Sequence, residues 1–215
     1  MIIVKYRSEW YMRDYKKTLY ASYIGSFTQA VVNNFVPLLF LTFHDQFDIS
    51  IGKISFLITL NFGTQMLVDF FGAKYAERIG YRRAIVAAHI FSALGLMSLG
   101  ILPYIMDPFA GLAAAVAIYA VGGGLIEVLV SPIVEALPGD AKTAAMSLLH
   151  SFNCWGQVCV IMLSSAFFFI FGLQNWRYLA LFWAAIPTLG VTLTAMLTCS
   201  ECVGQEYLAK KVGNA

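Results

Sequence analysis

Charged residues are scarce in this sequence. Only 12% of its 215 residues are Asp, Glu, Lys or Arg, whereas 60% are hydrophobic. A soluble domain carries about 25% charged residues, so the composition excludes an ordinary soluble protein and indicates a chain whose main solvent is lipid. The formal net charge is +2, and no basic run is interleaved with aromatic residues at helical spacing, which argues against a nucleic-acid partner.

Residues for redox, metal or hydrolytic chemistry are also few. Cys154 and Cys159 lie within a hydrophobic segment, and residues 199–202 form a single CxxC without a second pair, which is a weak metal or redox signal. No GxSxG or HExxH motif occurs. His150 and Ser151 are neighbours in sequence, so on a helix they point about 100° apart and cannot act as a dyad. We therefore expect no metal, no cofactor and no enzymatic activity.

Long hydrophobic segments occur six times. A helix needs about 20 mainly apolar residues to cross roughly 30 Å of hydrocarbon, and irregular backbone cannot face lipid. The short connections leave no room for another compact structure, so the sequence predicts an all-α membrane protein. The predicted transmembrane helices cover residues 19–42, 52–72, 84–105, 109–132, 145–171 and 177–199. Residues 1–18 are predicted to be an N-terminal segment outside the bundle.

The placement of Lys and Arg predicts the orientation. One side collects twelve of these residues, in the N-terminal segment, in the second-to-third and fourth-to-fifth connections and after the sixth helix. The other side has only Lys53 and Arg177. Because cytoplasmic loops carry an excess of Lys and Arg, both termini are predicted to lie in the cytoplasm.

Four of the predicted helices carry polar residues spaced three or four apart, which places them on one helical face. The stripes are Ser26, Gln29 and Asn33 with Asn34 beside them; Asn61, Gln65 and Asp69; Glu127, Ser131 and Glu135; and His150, Asn153 and Gln157. A single amide more often joins helices, at about 0.6 kcal/mol per hydrogen bond. Four stripes together with a carboxylate favour a polar cavity.

Glu127 is the central candidate. It lies inside the fourth hydrophobic segment, after three glycines at 122–124 and before Pro132. An ionised side chain at bilayer depth costs about 2.5–3.5 kcal/mol on insertion scales, so Glu127 must face protein or water. The glycines would let another helix approach closely. The candidate substrate or coupling residues are Glu127, Asn33, Asn34, Asn61, Gln65, Asn153 and Gln157.

Three further titratable residues lie in or near the predicted helices. Glu135 and Asp69 are candidate gate partners. For Asp69 a structural role is favoured, because a charged side chain near a helix end can reach water at little cost in free energy. His89 is alone in the third helix, and we expect a packing residue whose ring nitrogens are satisfied.

The second-to-third connection carries a motif. A small residue, an acid four positions on, a basic residue, a glycine and further basic residues follow one another: Ala73, Glu77, Arg78, Gly80, Arg82 and Arg83. This pattern resembles the cytoplasmic loop signature of the major facilitator superfamily. The sequence departs from that signature in three places: Ala73 holds the usual first glycine position, Glu77 replaces aspartate, and Tyr81 takes the first of two trailing basic positions. The resemblance implies a 3+3 inverted repeat of six helices.

Two further stretches resemble the fucose permease and related sugar symporters. Residues 124–132, with Glu127 before Ser131 and Pro132, resemble that branch's fourth helix, and residues 151–156 resemble its fifth-helix motif. The pair Asn33 and Asn34 resembles its first-helix Asn pair. One position differs, because Pro37 stands where that permease has an aspartate linked to proton coupling. Coupling would then rest on Glu127 alone, on Asp69, or on a different ion, either H⁺ or Na⁺.

Superfamily members have two six-helix halves with the substrate site between them. The sequence therefore resembles an N-terminal half, and residues 200–215 resemble the start of the central cytoplasmic linker. The resemblance implies a multi-pass cell-membrane transporter for a small polar solute, most consistent with a sugar, which needs a second six-helix half from its own chain or another. The alternative is a truncated or split half that serves as a non-transporting assembly partner or remnant. A sugar-dependent shift in the unfolding temperature would distinguish them.

Overall fold

The computed structural model describes residues 2–135 and 142–197, with side chains for 18–72, 74–75, 80–135 and 142–195. Within this part the chain is helical and has no strand. The predicted C-terminal linker, 200–215, lies outside the described residues. The helices are α1 (Ile2–Asn34), α2 (Phe40–Phe47), α3 (Ile51–Ile79), α4 (Tyr81–Leu99), α5 (Leu102–Ile105), α6 (Pro108–Glu135), α7 (Lys142–Phe171) and α8 (Trp176–Leu197).

Six stretches of these helices are long and apolar enough to cross a membrane. They are Thr18–Phe47, Ile51–Gly72, Tyr81–Leu99, Pro108–Glu135, Lys142–Phe171 and Leu173–Ala195. The prediction of an all-α protein with six transmembrane helices is confirmed. The predicted N-terminal segment is continuous with the first span, because α1 begins at Ile2.

Two spans differ from the predicted boundaries because proline interrupts them. Pro37 lies in a 3₁₀ turn, Val36–Leu39, after which α2 extends the first span to Phe47, five residues beyond the predicted end at 42. The third span was predicted to reach residue 105, but α4 ends at Leu99 and a separate short helix, α5, carries Pro103 in its first turn. Proline has no backbone N–H to continue a helix and is tolerated at a helix start.

The fourth span is the centre of the bundle. Helix α6 packs against α4, α3 and α1, and α1 in turn packs against α7 and α8. More than half of the fourth span is buried (56%), against 17% of the fifth and 22% of the second. Glycine permits this central position, because a Cβ on Gly122 would lie 2.5 Å from the carbonyl oxygen of Ala88 in α4. The predicted close approach of helices at the three glycines is present.

A cluster of side chains joins the first and sixth spans to Gly100 and α5, which follow the third span, at one end of the bundle. Trp176 Nε1 donates to Gln46 Oε1 at 2.7 Å, and Gln46 Nε2 donates to the Tyr104 hydroxyl at 2.8 Å. Arg177 Nε donates to the carbonyl oxygen of Gly100 at 2.9 Å, and its guanidinium lies 4.1 Å from the centre of the Tyr104 ring. We call Gln46, Tyr104, Trp176 and Arg177 the Gln46 cluster. It lies at the end predicted to face outward.

The opposite end carries the predicted loop motif. Gly80 separates α3 from α4 with a φ of 90°, a conformation that side-chain-bearing residues rarely adopt. Arg82 donates a hydrogen bond from Nη2 to the carbonyl oxygen of Ala195 in the last turn of α8. Arg83 is exposed. The side chains of Ala73, Glu77 and Arg78 lie outside the described residues. Arg82 therefore links the α3–α4 turn to the end of the sixth span.

Candidate solute-binding cavity

A polar cavity of about 180 Å³ lies between the first, fourth and fifth spans. Helices α1, α6 and α7 supply its walls, and it opens on one side to the surface of the chain. Its lining residues are Ser26, Gln29, Asn33, Ile126, Glu127, Val130, Ser131, Leu149, His150 and Asn153. Three of the four predicted polar stripes therefore meet here, and the stripe on α3 does not line the cavity.

Glu127 is exposed in the wall of this cavity. Its Oε2 accepts a hydrogen bond from Gln29 Nε2 at 2.9 Å. It lies eight residues before the end of α6, which is about 12 Å along the helix axis. The carboxylate is thus deep within the span, with a neutral amide as its hydrogen-bond donor in the described part of the chain.

A second amide network lies behind the cavity wall. Gln65 Nε2 donates to Asn33 Oδ1 at 2.7 Å and to Asn61 Oδ1 at 3.1 Å. Gln65 and Asn61 are buried, and neither lines the cavity. They join α3 to α1, and Asn33 connects this network to the cavity itself. The spacing on α3 therefore marks a helix–helix contact.

The space between the two networks exists because residue 123 is glycine. A Cβ placed on Gly123 would lie 3.2 Å from both Gln29 Oε1 and Gln65 Nε2, and 2.9 Å from Val32 Cγ1. A side chain here would displace one or both amides. Gly124 similarly faces the backbone of Gln65, whose carbonyl oxygen would lie 3.0 Å from a Cβ.

The remaining predicted residues lie elsewhere. Asn34 Nδ2 donates to the carbonyl oxygen of Ala30 in its own helix at 2.8 Å, and Gln157 does not line the cavity. Glu135 is exposed at the end of α6, outside the cavity.

Asp69 is partly buried on α3, and its Oδ1 has no hydrogen-bond partner among the described residues. Asp69 does not line the cavity.

The sequence model of the Major Facilitator Superfamily matches residues 21–201, most of the chain. This chain belongs to the Major Facilitator Superfamily. No curated protein matches its sequence. A mutant of the peptide transporter POT, solved in complex with sulfate, has a similar structure, with a TM-score of 0.64 and 15% sequence identity. The match covers 86% of this chain and 37% of that one, so the chain spans well under half the length of this structure, and the similarity concerns the fold.

Two titratable side chains of the cavity are open to solvent. Glu127 and His150 are both exposed, and both line the cavity.

Four residues of the predicted stripes are not among the predicted site residues: Ser26, Gln29, Ser131 and His150. The structure places all four in the cavity wall. Their spacing was visible, since Gln29 shares a face with Ser26 and Asn33. Spacing alone could not show that Gln29 rather than Asn34 lines the cavity, because both lie on the first span. The fold determines which of them faces α6.

His89 corrects a prediction. It was expected to be a packing residue with satisfied nitrogens, and it is completely buried. However, both ring nitrogens lack a hydrogen-bond partner among the described residues. Close packing against two glycines holds the imidazole in place. A Cβ on Gly190 of α8 would lie 2.5 Å from His89 Nδ1, and a Cβ on Gly25 of α1 would lie 4.0 Å from His89 Nε2.

Proposed function

We propose that this chain is the N-terminal half of a secondary active transporter in the cell membrane, moving a small polar solute by cation-coupled symport. The observation that carries the proposal is the exposed carboxylate of Glu127 in a polar cavity between membrane helices. An ionisable residue at that depth is costly, faces the bundle interior or water, and marks a substrate or ion pathway.

Coupling is assigned to Glu127. Its carboxylate receives a hydrogen bond from Gln29 rather than an ion pair with Lys or Arg in the described chain. Because no cation neutralises it there, a proton or a Na⁺ ion would do so on one side of the membrane and be released on the other. Asp69 on α3, whose Oδ1 lacks a hydrogen-bond partner among the described residues, is proposed as a gate partner.

A sugar is the proposed solute. Amide groups offer both donors and acceptors, which matches hydroxyl groups that also do both. Asn33, Asn153 and Gln29 bring such groups to the cavity from two helices. The resemblance of residues 124–132 and 151–156 to the fucose permease branch points to the same class of solute.

A second six-helix half completes the proposal, supplied by the same longer protein or by another chain. The cavity is open on one side, and its exposed carboxylate cannot face lipid without the cost given above. The second candidate function, a non-transporting assembly partner, is favoured by the same open wall, because a partner protein would cover it without any solute.

The test is sugar uptake into proteoliposomes by the native-length protein that contains this chain. Glu127→Gln should abolish uptake driven by a pH or Na⁺ gradient while sparing exchange of labelled for unlabelled sugar. Asp45→Asn, which changes an exposed carboxylate on α2 outside the cavity, is the matched control and should retain gradient-driven uptake. Full gradient-driven uptake by Glu127→Gln would refute the coupling role. If no sugar is taken up and none shifts the unfolding temperature, the assembly-partner function is favoured.

A further inference from the structure

Two side chains of the cavity lie at the same depth on consecutive helices. Helix α6 ends at Glu135, and α7 begins at Lys142. Glu127 lies eight residues before the end of α6, and His150 lies eight residues after the start of α7. At a rise of about 1.5 Å per residue, each lies about 12 Å along its helix from the connection between the two. The walls formed by α6 and α7 therefore present a carboxylate and an imidazole at one level.

These two side chains are also the most accessible in the cavity lining. Glu127 and His150 are exposed, whereas the other lining residues are buried or half-buried. Gln29 Nε2 bonds to Glu127 Oε2, which leaves Oε1 of the carboxylate for a solute. His150 has no hydrogen-bond partner in the described part of the chain, so both of its ring nitrogens can bind a solute as well.

The two groups differ in what they can bind. An ionised carboxylate only accepts hydrogen bonds, whereas a neutral imidazole has one N–H donor and one acceptor nitrogen. A hydroxyl group donates and accepts. One hydroxyl of a solute can therefore donate to Glu127, while a second hydroxyl of the same molecule binds to His150 in either direction. A molecule with a single hydroxyl can satisfy only one of the two walls.

We propose that His150 is a solute-binding residue, which holds a polyhydroxy solute on α7 while Glu127 holds it on α6. This rests on the proposed function, because it adds a second contact to the same cavity and makes the solute class a polyol with hydroxyls that reach both helices. His150 is a binding residue in this proposal and requires no change in its charge.

The first experiment measures whether a solute covers His150. The native-length protein that contains this chain is treated with diethyl pyrocarbonate, which modifies imidazole nitrogens, and the modified peptides are quantified by mass spectrometry at one pH. Glucose and myo-inositol are the polyols, and cyclohexanol is the control with a six-membered ring and one hydroxyl. His44 on α2, outside the cavity, is the internal reference.

At least one polyol should slow the modification of His150 by about fivefold at a concentration that fills most sites, with the rate at His44 unchanged. Cyclohexanol should slow neither reaction. Four results would each overturn the proposal: no reaction at His150 in the folded protein, no protection by either polyol, equal protection of His44, or equal protection by cyclohexanol.

The second experiment separates this binding role from transport, by uptake of the same polyols into proteoliposomes. His150→Ala should raise KM by about threefold to tenfold with little change in kcat, because a contact made in the bound state is lost. His150→Gln, whose amide also donates and accepts, should recover part of the affinity. Ser147→Ala, exposed on α7 outside the cavity, is the matched control and should retain both constants.

The two experiments together distinguish the two claims. Protection of His150 without uptake would mean that the binding role stands and the transport function fails. Uptake with an unchanged KM in His150→Ala would overturn the binding role and leave the transport function intact.

Discussion

Gln29 and Glu127 face each other across the contact between the first and fourth spans, joined by a hydrogen bond of 2.9 Å from Nε2 to Oε2. Gln29 is buried and Glu127 is exposed to the cavity. The pair therefore connects the interior of the bundle to the wall of the cavity. A change in the charge of Glu127 therefore acts directly on its hydrogen bond with Gln29.

Gln29→Leu should therefore affect function and stability together. A hydrogen bond to a charged group contributes about 1.5–3 kcal/mol, and the leucine leaves the carboxylate without this donor. We expect a lower unfolding temperature and reduced gradient-driven uptake. Glu127→Gln is the matched control, because its amide oxygen can still accept from Gln29 and the unfolding temperature should change little. An equal loss of thermal stability in both variants would contradict this account.

Gly122→Ala should destabilise the chain strongly. The new Cβ would lie 2.5 Å from the carbonyl oxygen of Ala88 and from the backbone nitrogen of Ser92, so α4 and α6 must separate, and overpacking of this kind costs about 1–3 kcal/mol or more. Gly63→Ala is the control, since nothing lies within 4 Å of its added Cβ. Alanine is favoured over glycine in a helix by about 1 kcal/mol. Unfolding in detergent should thus move in opposite directions for the two variants.

The contact between His89 and Gly190 should show coupling in a double-mutant cycle. Gly190→Ala places a Cβ 2.5 Å from His89 Nδ1 and should lower the unfolding temperature. His89→Ala removes the imidazole and two unsatisfied nitrogens at the cost of a cavity. With both changes present the clash is absent, so the double variant should be more stable than the sum of the single effects predicts, by about 0.5–3 kcal/mol. Simple additivity would show that the imidazole does not hold α8.

The Gln46 cluster predicts a local effect on stability. Trp176→Phe retains much of the buried aromatic surface but removes the donor to Gln46 Oε1, and the loss of one such hydrogen bond costs about 0.5–1.5 kcal/mol. The unfolding temperature should fall while solute uptake at a permissive temperature is retained, because the cluster lies outside the cavity lining. Gln174→Ala, at an exposed neighbouring position, should change neither quantity. Lost uptake in a folded Trp176→Phe protein would give the cluster a functional role.

Much of the fold was predictable because membrane spans leave a strong signal in sequence. The length and hydrophobicity of the segments predicted six helices, because backbone in contact with lipid must form its hydrogen bonds within the segment. The ends were less predictable where proline and tertiary contacts act together. Hydrophobicity runs through Leu99 to residue 105, and only the backbone shows that the helix stops at Leu99 and restarts at Leu102.

The site was predictable in part, for a similar physical reason. Spacing identified the polar face of each helix, but not which face meets which. Asn61 and Gln65 have the same spacing as Glu127 and Ser131, yet they pack between helices while the latter pair lines the cavity. The rotation of each helix depends on close contacts such as those of Gly122 and Gly123, which a single helix's pattern does not contain.

The pairing of Gln29 with Glu127 has a consequence for how the chain is made. These residues are separated by 98 positions, so the first span is already synthesised when the carboxylate of the fourth leaves the ribosome. An ionised side chain at the centre of a helix costs about 2.5–3.5 kcal/mol on insertion scales, and Gln29 can offset part of this cost as soon as the fourth span packs against the first. The order of synthesis thus makes the donor available before the carboxylate that it serves.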